Sequence, residues 1–69
     1  MTIGERITEL RKSKELSQEE LAEKLGVSRQ SVSKWETGVS IPDTDKAVAM
    51  SRIFGVTADF LLTGESNNP

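Results

Sequence analysis

The stretch Ser17–Thr37, SQEELAEKLGVSRQSVSKWET, decides the fold of this 69-residue chain. Ser17-Gln18-Glu19-Glu20 has capping-box spacing, a hydroxyl acceptor followed three residues later by a carboxylate. It opens a predicted helix over Gln18–Leu25, whose Leu21, Ala22 and Leu25 fall on one face. Ala22 is small where a crossing helix must come close. Glu19, Glu20 and Glu23 lie toward the N-terminus, where the helix dipole favours negative charge. Gly26 follows the last apolar residue as a left-handed terminator does. Val27 fills the turn, and Ser28 caps a second predicted helix over Arg29–Glu36. That helix has little apolar besides Val32 and Trp35, three apart. It is therefore expected to be half exposed, with Arg29, Gln30, Ser33 and Lys34 outward.

Both flanks supply helices for this pair to pack on. Thr2 and Glu5 form a further capping box, and Ile3, Ile7 and Leu10 recur at i, i+4 and i+7 over a predicted helix at Ile3–Ser13. Its last turn gathers Arg11, Lys12 and Lys14. That cluster either answers the helix dipole or touches phosphate. On the other side, Thr37-Gly38 ends the second motif helix and Val39–Pro42 reads as a loop. Asp43 caps a predicted helix at Thr44–Phe54, with Ala47, Met50 and either Ile53 or Phe54 inward. Gly55 stops it. Thr57 caps a last helix at Ala58–Leu62, whose Phe60 and Leu61 are expected to return to the core. One domain is read over residues 1–64, with 65–69 a frayed tail.

Composition sets bounds. So short a chain buries only a thin core, and with 35% apolar residues it must use nearly all of them, for a stability of about 5 kcal/mol. There is no Cys and no His, so neither a disulfide nor a thiolate metal site supports the fold. The missing histidine also leaves the many serines without a base to activate them as nucleophiles. The acidic cluster Glu19, Glu20, Glu23 reads as solubility and dipole chemistry, not as a metal site. No apolar run approaches the length of a membrane span and no signal-peptide core is present. The net charge of −2 argues weakly against a nucleic-acid partner. It is unevenly placed, however: on the helix 29–36 the cations are Arg29 and Lys34, and the single acid, Glu36, stands at its far end.

These residues resemble the helix-turn-helix domain of phage repressors and Cro proteins, the XRE family. The resemblance rests on LSQEELAEKLGVS at Leu16–Ser28, SVSKWETG at Ser31–Gly38, IPD at Ile41–Asp43 and FGVTADFLL at Phe54–Leu62. It spans residues 3 to about 64. It implies an all-α bundle of five helices that acts without a cofactor, binding as a homodimer to a roughly palindromic double-stranded DNA operator, with the second motif helix in the major groove. Carried over by position, Ser28, Arg29, Gln30 and Lys34 match residues that face base edges. Arg and Lys suit guanine and Gln suits adenine. Gln18 resembles a glutamine that bonds phosphate and braces the recognition helix. Ser17, Ser31, Ser33 and the backbone around Thr37 and Gly38 match positioning contacts to the DNA backbone. Arg11 and Glu36 match a pair that ties the first helix to the third, in competition with a plain surface reading of both.

The chain departs from its relatives in three places. Glu15 stands where they often have glycine, so a strained left-handed conformation is expected there. Thr44 and Ala47 replace larger apolar residues. No basic residue occupies the loop Val39–Ile41, where several relatives carry Lys or Arg. The function implied is a DNA-binding transcription regulator, by expectation a repressor, with activation equally open, in a bacterial or phage-derived cytoplasm. A protein-interaction module, antitoxin-like or adaptor, is the alternative, with Val56 and Leu62 as its candidate apolar patch. An enzyme is the remote third class, because the chain lacks His, Cys, a phosphate loop and the length for a cleft.

Overall fold

The five helices begin where the capping chemistry starts them. In the computed structural model, which describes residues 1–65, they are α1 (Ile3–Ser13), α2 (Gln18–Leu25), α3 (Arg29–Thr37), α4 (Thr44–Phe54) and α5 (Ala58–Thr63). Thr2 and Ser17 close complete capping boxes with Glu5 and Glu20. Ser28, Asp43 and Thr57 cap the other three helices through single side-chain acceptors. Residues 66–69 of the expected tail lie outside the described residues. Both α3 and α5 run one residue past the sequence expectation, because Gly38 and Gly64, in left-handed conformation, close the last turn by donating to carbonyls within it. No helix among the described residues is long and apolar enough to cross a membrane.

The core is a single cluster. Ile7 of α1, Leu21, Ala22 and Leu25 of α2, Val32 and Trp35 of α3, Ala47, Met50 and Phe54 of α4, and Leu61 of α5 are buried together. Each large member contributes roughly 1.5–3 kcal/mol on leaving water. Of the two alternatives on α4, Phe54 is buried and Ile53 packs partly against the cluster. Val56, expected in an exposed patch, instead lies against the core.

Phe60 is a correction. It is half-buried and outside the core cluster, lining a groove with Met1, Arg6, Glu9, Leu10 and Gly64. Helix α5 is only six residues long. Its neighbour Leu61 fills the inward position, and the next residue along a helix points about 100° away.

Two backbone details set how the helices meet. Gly4 lies where α1 crosses α3: a Cβ there would stand 2.5 Å from the Glu36 carbonyl oxygen and 2.6 Å from that of Trp35. Glu15, in the α1–α2 turn, has φ +56°, the only positive value at a non-glycine among the described residues. Its amide donates to the Lys12 carbonyl at 2.9 Å, which helps hold a conformation costing about 1 kcal/mol.

Replacing Gly4 by alanine is expected to push α1 off α3 and to destabilise the domain by about 1–3 kcal/mol. Thermal unfolding checks this, with the melting temperature falling about 4–8 °C per kcal/mol for a domain this size.

Candidate nucleic-acid interface

Helix α3 is held from behind and open in front. Val32 and Trp35 anchor it in the core. On the other side Arg29, Gln30, Ser33 and Lys34 line one shallow surface hollow. Their spacing (29 with 33, 30 with 34) is i, i+4, which puts them on a single helical face. Arg29, Gln30 and Lys34 are exposed and Ser33 is half-buried. The acid of this helix, Glu36, is turned away: its side chain retains 6% of its exposure.

Glu36 is where three helices are tied together. Its Oε2 accepts from Arg11 Nε at 2.7 Å and its Oε1 from Arg11 Nη2 at 3.2 Å. Gln18 Nε2 donates to the same Oε1 at 2.9 Å. Arg11 also donates through Nη1 to the Leu16 carbonyl at 2.8 Å, pinning the α1–α2 turn. Burial pushes the Glu36 carboxyl upward. The hydrogen bonds from Arg11 and Gln18, together with the Arg11 charge, outweigh it and hold the group below its ordinary pKa. The other end of Gln18 reaches the recognition face, where its Oε1 accepts from Arg29 Nη1 at 3.3 Å.

The remaining expected contacts divide by what their donors are doing. Ser17 Oγ accepts the Glu20 amide at 3.0 Å as an N-cap, which leaves its hydroxyl proton outward. Ser28 Oγ caps α3 by accepting the Ser31 amide at 3.2 Å and lies 3.2 Å from Ser31 Oγ. One hydroxyl proton of that pair is therefore spent between them. Thr37 and Gly38 are different. The Thr37 hydroxyl donates back to the Ser33 carbonyl at 2.9 Å. The amides of Gly38, Val39 and Ser40 donate to carbonyls of Trp35 and Lys34. The helix-end motif has consumed these protons, so the turn presents no free donor at Thr37 or Gly38.

Two features escaped the sequence reading. Arg6 is buried, with Nε donating to the Leu61 carbonyl at 3.0 Å, Nη1 to that of Met1 at 3.2 Å and Nη2 to that of Leu62 at 3.4 Å. The available signal was its place at i+3 from Ile3, a charge on an apolar stripe. The second is the loop pair Val39 and Ile41, at 73% and 71% exposure the most exposed large apolar residues besides Met1. Leu62, at 40%, is the part of the expected patch that is open.

A family described as Helix-turn-helix (HTH_3) matches residues 7–61. The chain belongs to the helix-turn-helix family. Its architecture is that of the phage repressor domains: the P22 c2 repressor, solved in complex with synthetic operator 9T, superposes with a TM-score of 0.89 at 32% identity, covering 94% of this chain and 98% of that one. SinR, solved in complex with the SinI protein, superposes with a TM-score of 0.82 at 35% identity over 90% of this chain and 61% of that one. The HTH-type transcriptional activator BcrR of Enterococcus faecalis is 46% identical over 65 residues, which are 94% of this chain and 32% of BcrR. The chain thus spans less than two thirds of the length of the curated relatives it matches.

Arg11→Met would leave the Glu36 carboxylate largely buried without its cation, held only by neutral donors such as Gln18, at an expected cost of roughly 3–5 kcal/mol. The pH dependence carries a sign. Because the folded pKa of Glu36 is depressed, its contribution is complete above the ordinary glutamate pKa and is lost as pH falls through the folded value. In Arg11→Met the guanidinium no longer opposes burial, so the folded pKa rises, the acid-linked loss shrinks, and the gap in stability between variant and wild type should narrow as pH falls. Melting curves across the acid range measure both effects.

Proposed function

We propose that this domain is a sequence-specific DNA-binding transcription regulator that lays α3 in the major groove of a palindromic operator. The observation that carries it is the single exposed face of Arg29, Gln30, Ser33 and Lys34 with Gln18 hydrogen-bonded at its edge, in a bundle that superposes on an operator-bound repressor. The guanidinium of Arg29 and the ammonium of Lys34 suit guanine O6 and N7, and the Gln30 amide suits adenine N6 and N7. Gln18 has a second amide proton to offer a phosphate, and Ser17 a hydroxyl proton. The proposed backbone contacts fall on these groups and on the Ser31 and Ser33 hydroxyls, not on the amides of the α3–α4 turn.

Two copies are needed for an operator with two half-sites. The domain is 31 Å in its longest extent, short of the ~34 Å that separates successive major grooves on one face of DNA. A homodimer thus supplies both recognition helices. Occupying a promoter in this way represses it, and the proposed place of action is the cytoplasm, on the chromosome. Catalysis and a cofactor have no part in the proposal.

A protein partner is a second reading, favoured by the exposed Val39, Ile41 and Leu62 and by the SinR–SinI complex among the structural neighbours.

A duplex recovered by selection from a random library tests the first reading. Arg29→Ala should cut discrimination at one base pair of each half-site by about 1–3 kcal/mol, and Gln18→Ala should weaken binding to every sequence. Unchanged binding by both variants overturns the assignment of this face. Affinity for the selected duplex should also fall with added salt, by about one logarithmic unit of slope for each phosphate that a Lys or Arg neutralises. A chain that binds no duplex at low salt while retaining a protein partner would favour the second reading.

A further inference from the structure

Gln18 has chemically distinct ends, and its neighbours decide which end faces which. An ionised carboxylate can only accept, so Glu36 must meet the amide NH2 of Gln18. The nitrogen at 2.9 Å from Glu36 Oε1 leaves the carbonyl oxygen pointing the other way, and there it meets the Arg29 guanidinium at 3.3 Å. Arg29 can only donate. Were Gln18 turned over, two donors would face each other at Arg29 and two acceptors at Glu36. The orientation therefore follows from the partners' chemistry. Arg11 fixes the carboxylate plane in turn, through two bonds to Glu36.

We infer that Glu36 is a positioning residue for base specificity: by turning the Gln18 carbonyl oxygen toward Arg29, it holds one corner of that guanidinium and keeps its remaining donors for a base edge. This rests on the proposed reading of α3. A free arginine at the end of a long flexible stem is drawn equally to phosphates, which carry no sequence information. A guanidinium tethered at one corner has lost part of that freedom before it meets DNA. The buried carboxylate thus acts on selectivity through two intervening groups, without touching the duplex.

The substitution Glu36→Gln separates this role from a merely structural one. Glutamine at 36 keeps its oxygen on Arg11 and turns its NH2 to Gln18, so Gln18 flips and its own NH2 confronts Arg29. The tether breaks while Gln18 keeps a proton for phosphate. The measurement uses the full chain on the selected duplex and its single-base-pair variants, with far-ultraviolet circular dichroism confirming the fold. Expected in Glu36→Gln is a loss of discrimination of roughly three- to tenfold, the size of one long, solvent-exposed hydrogen bond, at the base pair that Arg29→Ala identifies. Preferences at other positions and affinity for unrelated duplex should hold. Gln18→Leu, which leaves the Arg11–Glu36 pair in place, should weaken every sequence through the lost phosphate contact and, beyond that, lower the same ratio; it decides the matter if Glu36→Gln fails to fold. In an Arg29→Ala background, neither substitution should change that ratio further.

A folded Glu36→Gln or Gln18→Leu variant that weakens all sequences equally, with the ratio at the Arg29 base pair intact, overturns the inference. If the wild type itself shows no preference among duplexes, or Arg29→Ala relaxes none, the reading of α3 fails first, and with it this one.

Discussion

The arrangement of the first three helices depends on one buried carboxylate. Glu36 is reached by Arg11 from α1 and by Gln18 from α2, and Arg11 holds the α1–α2 turn through the Leu16 carbonyl. The apolar contacts of Val32 and Trp35 fix how deeply α3 sits, but contacts of that kind are non-directional. Hydrogen bonds with set angles decide its rotation and tilt. A buried ion pair contributes little net stability once desolvation is counted. Here its return is geometric: the face presented by α3 is tied to the register of two other helices. The close approach at Gly4 belongs to the same arrangement, because a larger residue there would meet the backbone at Glu36 itself.

The acidic balance of the chain takes on a different meaning once the charges are placed. The net charge of −2 includes Glu36, which is withdrawn from the surface and neutralised, while Arg29 and Lys34 stand on the exposed face. The α3–α4 loop adds no charged side chain to that face. Its Val39 and Ile41 side chains are apolar, and the amides from Gly38 to Ser40 are turned inward. In the proposed complex few groups attract DNA without regard to sequence, so binding leans on the α3 face. Such a balance lowers affinity for non-operator DNA along with affinity for the operator, and it leaves their ratio to the hydrogen bonds at the bases.

Much of this was legible in the sequence because it is local. Caps at Thr2, Ser17, Ser28, Asp43 and Thr57 act within a few residues, and so did the glycine stops; all five helix starts follow from them. The left-handed Glu15 was legible too, through comparison with relatives that favour glycine at a sharp turn. What escaped depends on residues far apart in the chain. Arg6 meets carbonyls fifty-five and fifty-six residues away; its place on the apolar stripe signals burial but not these partners. The demand for glycine at position 4 comes from the α3 backbone. Phe60 was placed inward by its apolar character, although α5 has only one inward position to give, filled by Leu61. Within the candidate interface, residue types identified the α3 face, whereas the consumption of the Thr37 and Gly38 donors needed the geometry of the helix end. The direction of the Gln18 amide likewise depends on its partners in space.

Arg6 has a topological consequence. Its guanidinium binds the carbonyl of Met1 and those of Leu61 and Leu62 at once, so the two ends of the described fold meet at one side chain. The backbone is thereby nearly a closed ring, with a cation for its clasp. Neighbouring ends of this sort are what circular permutation requires. A short linker across the clasp would join them, and the ring could be reopened at a surface turn such as Val39–Ile41 with α1, α2 and α3 still tied through Glu36.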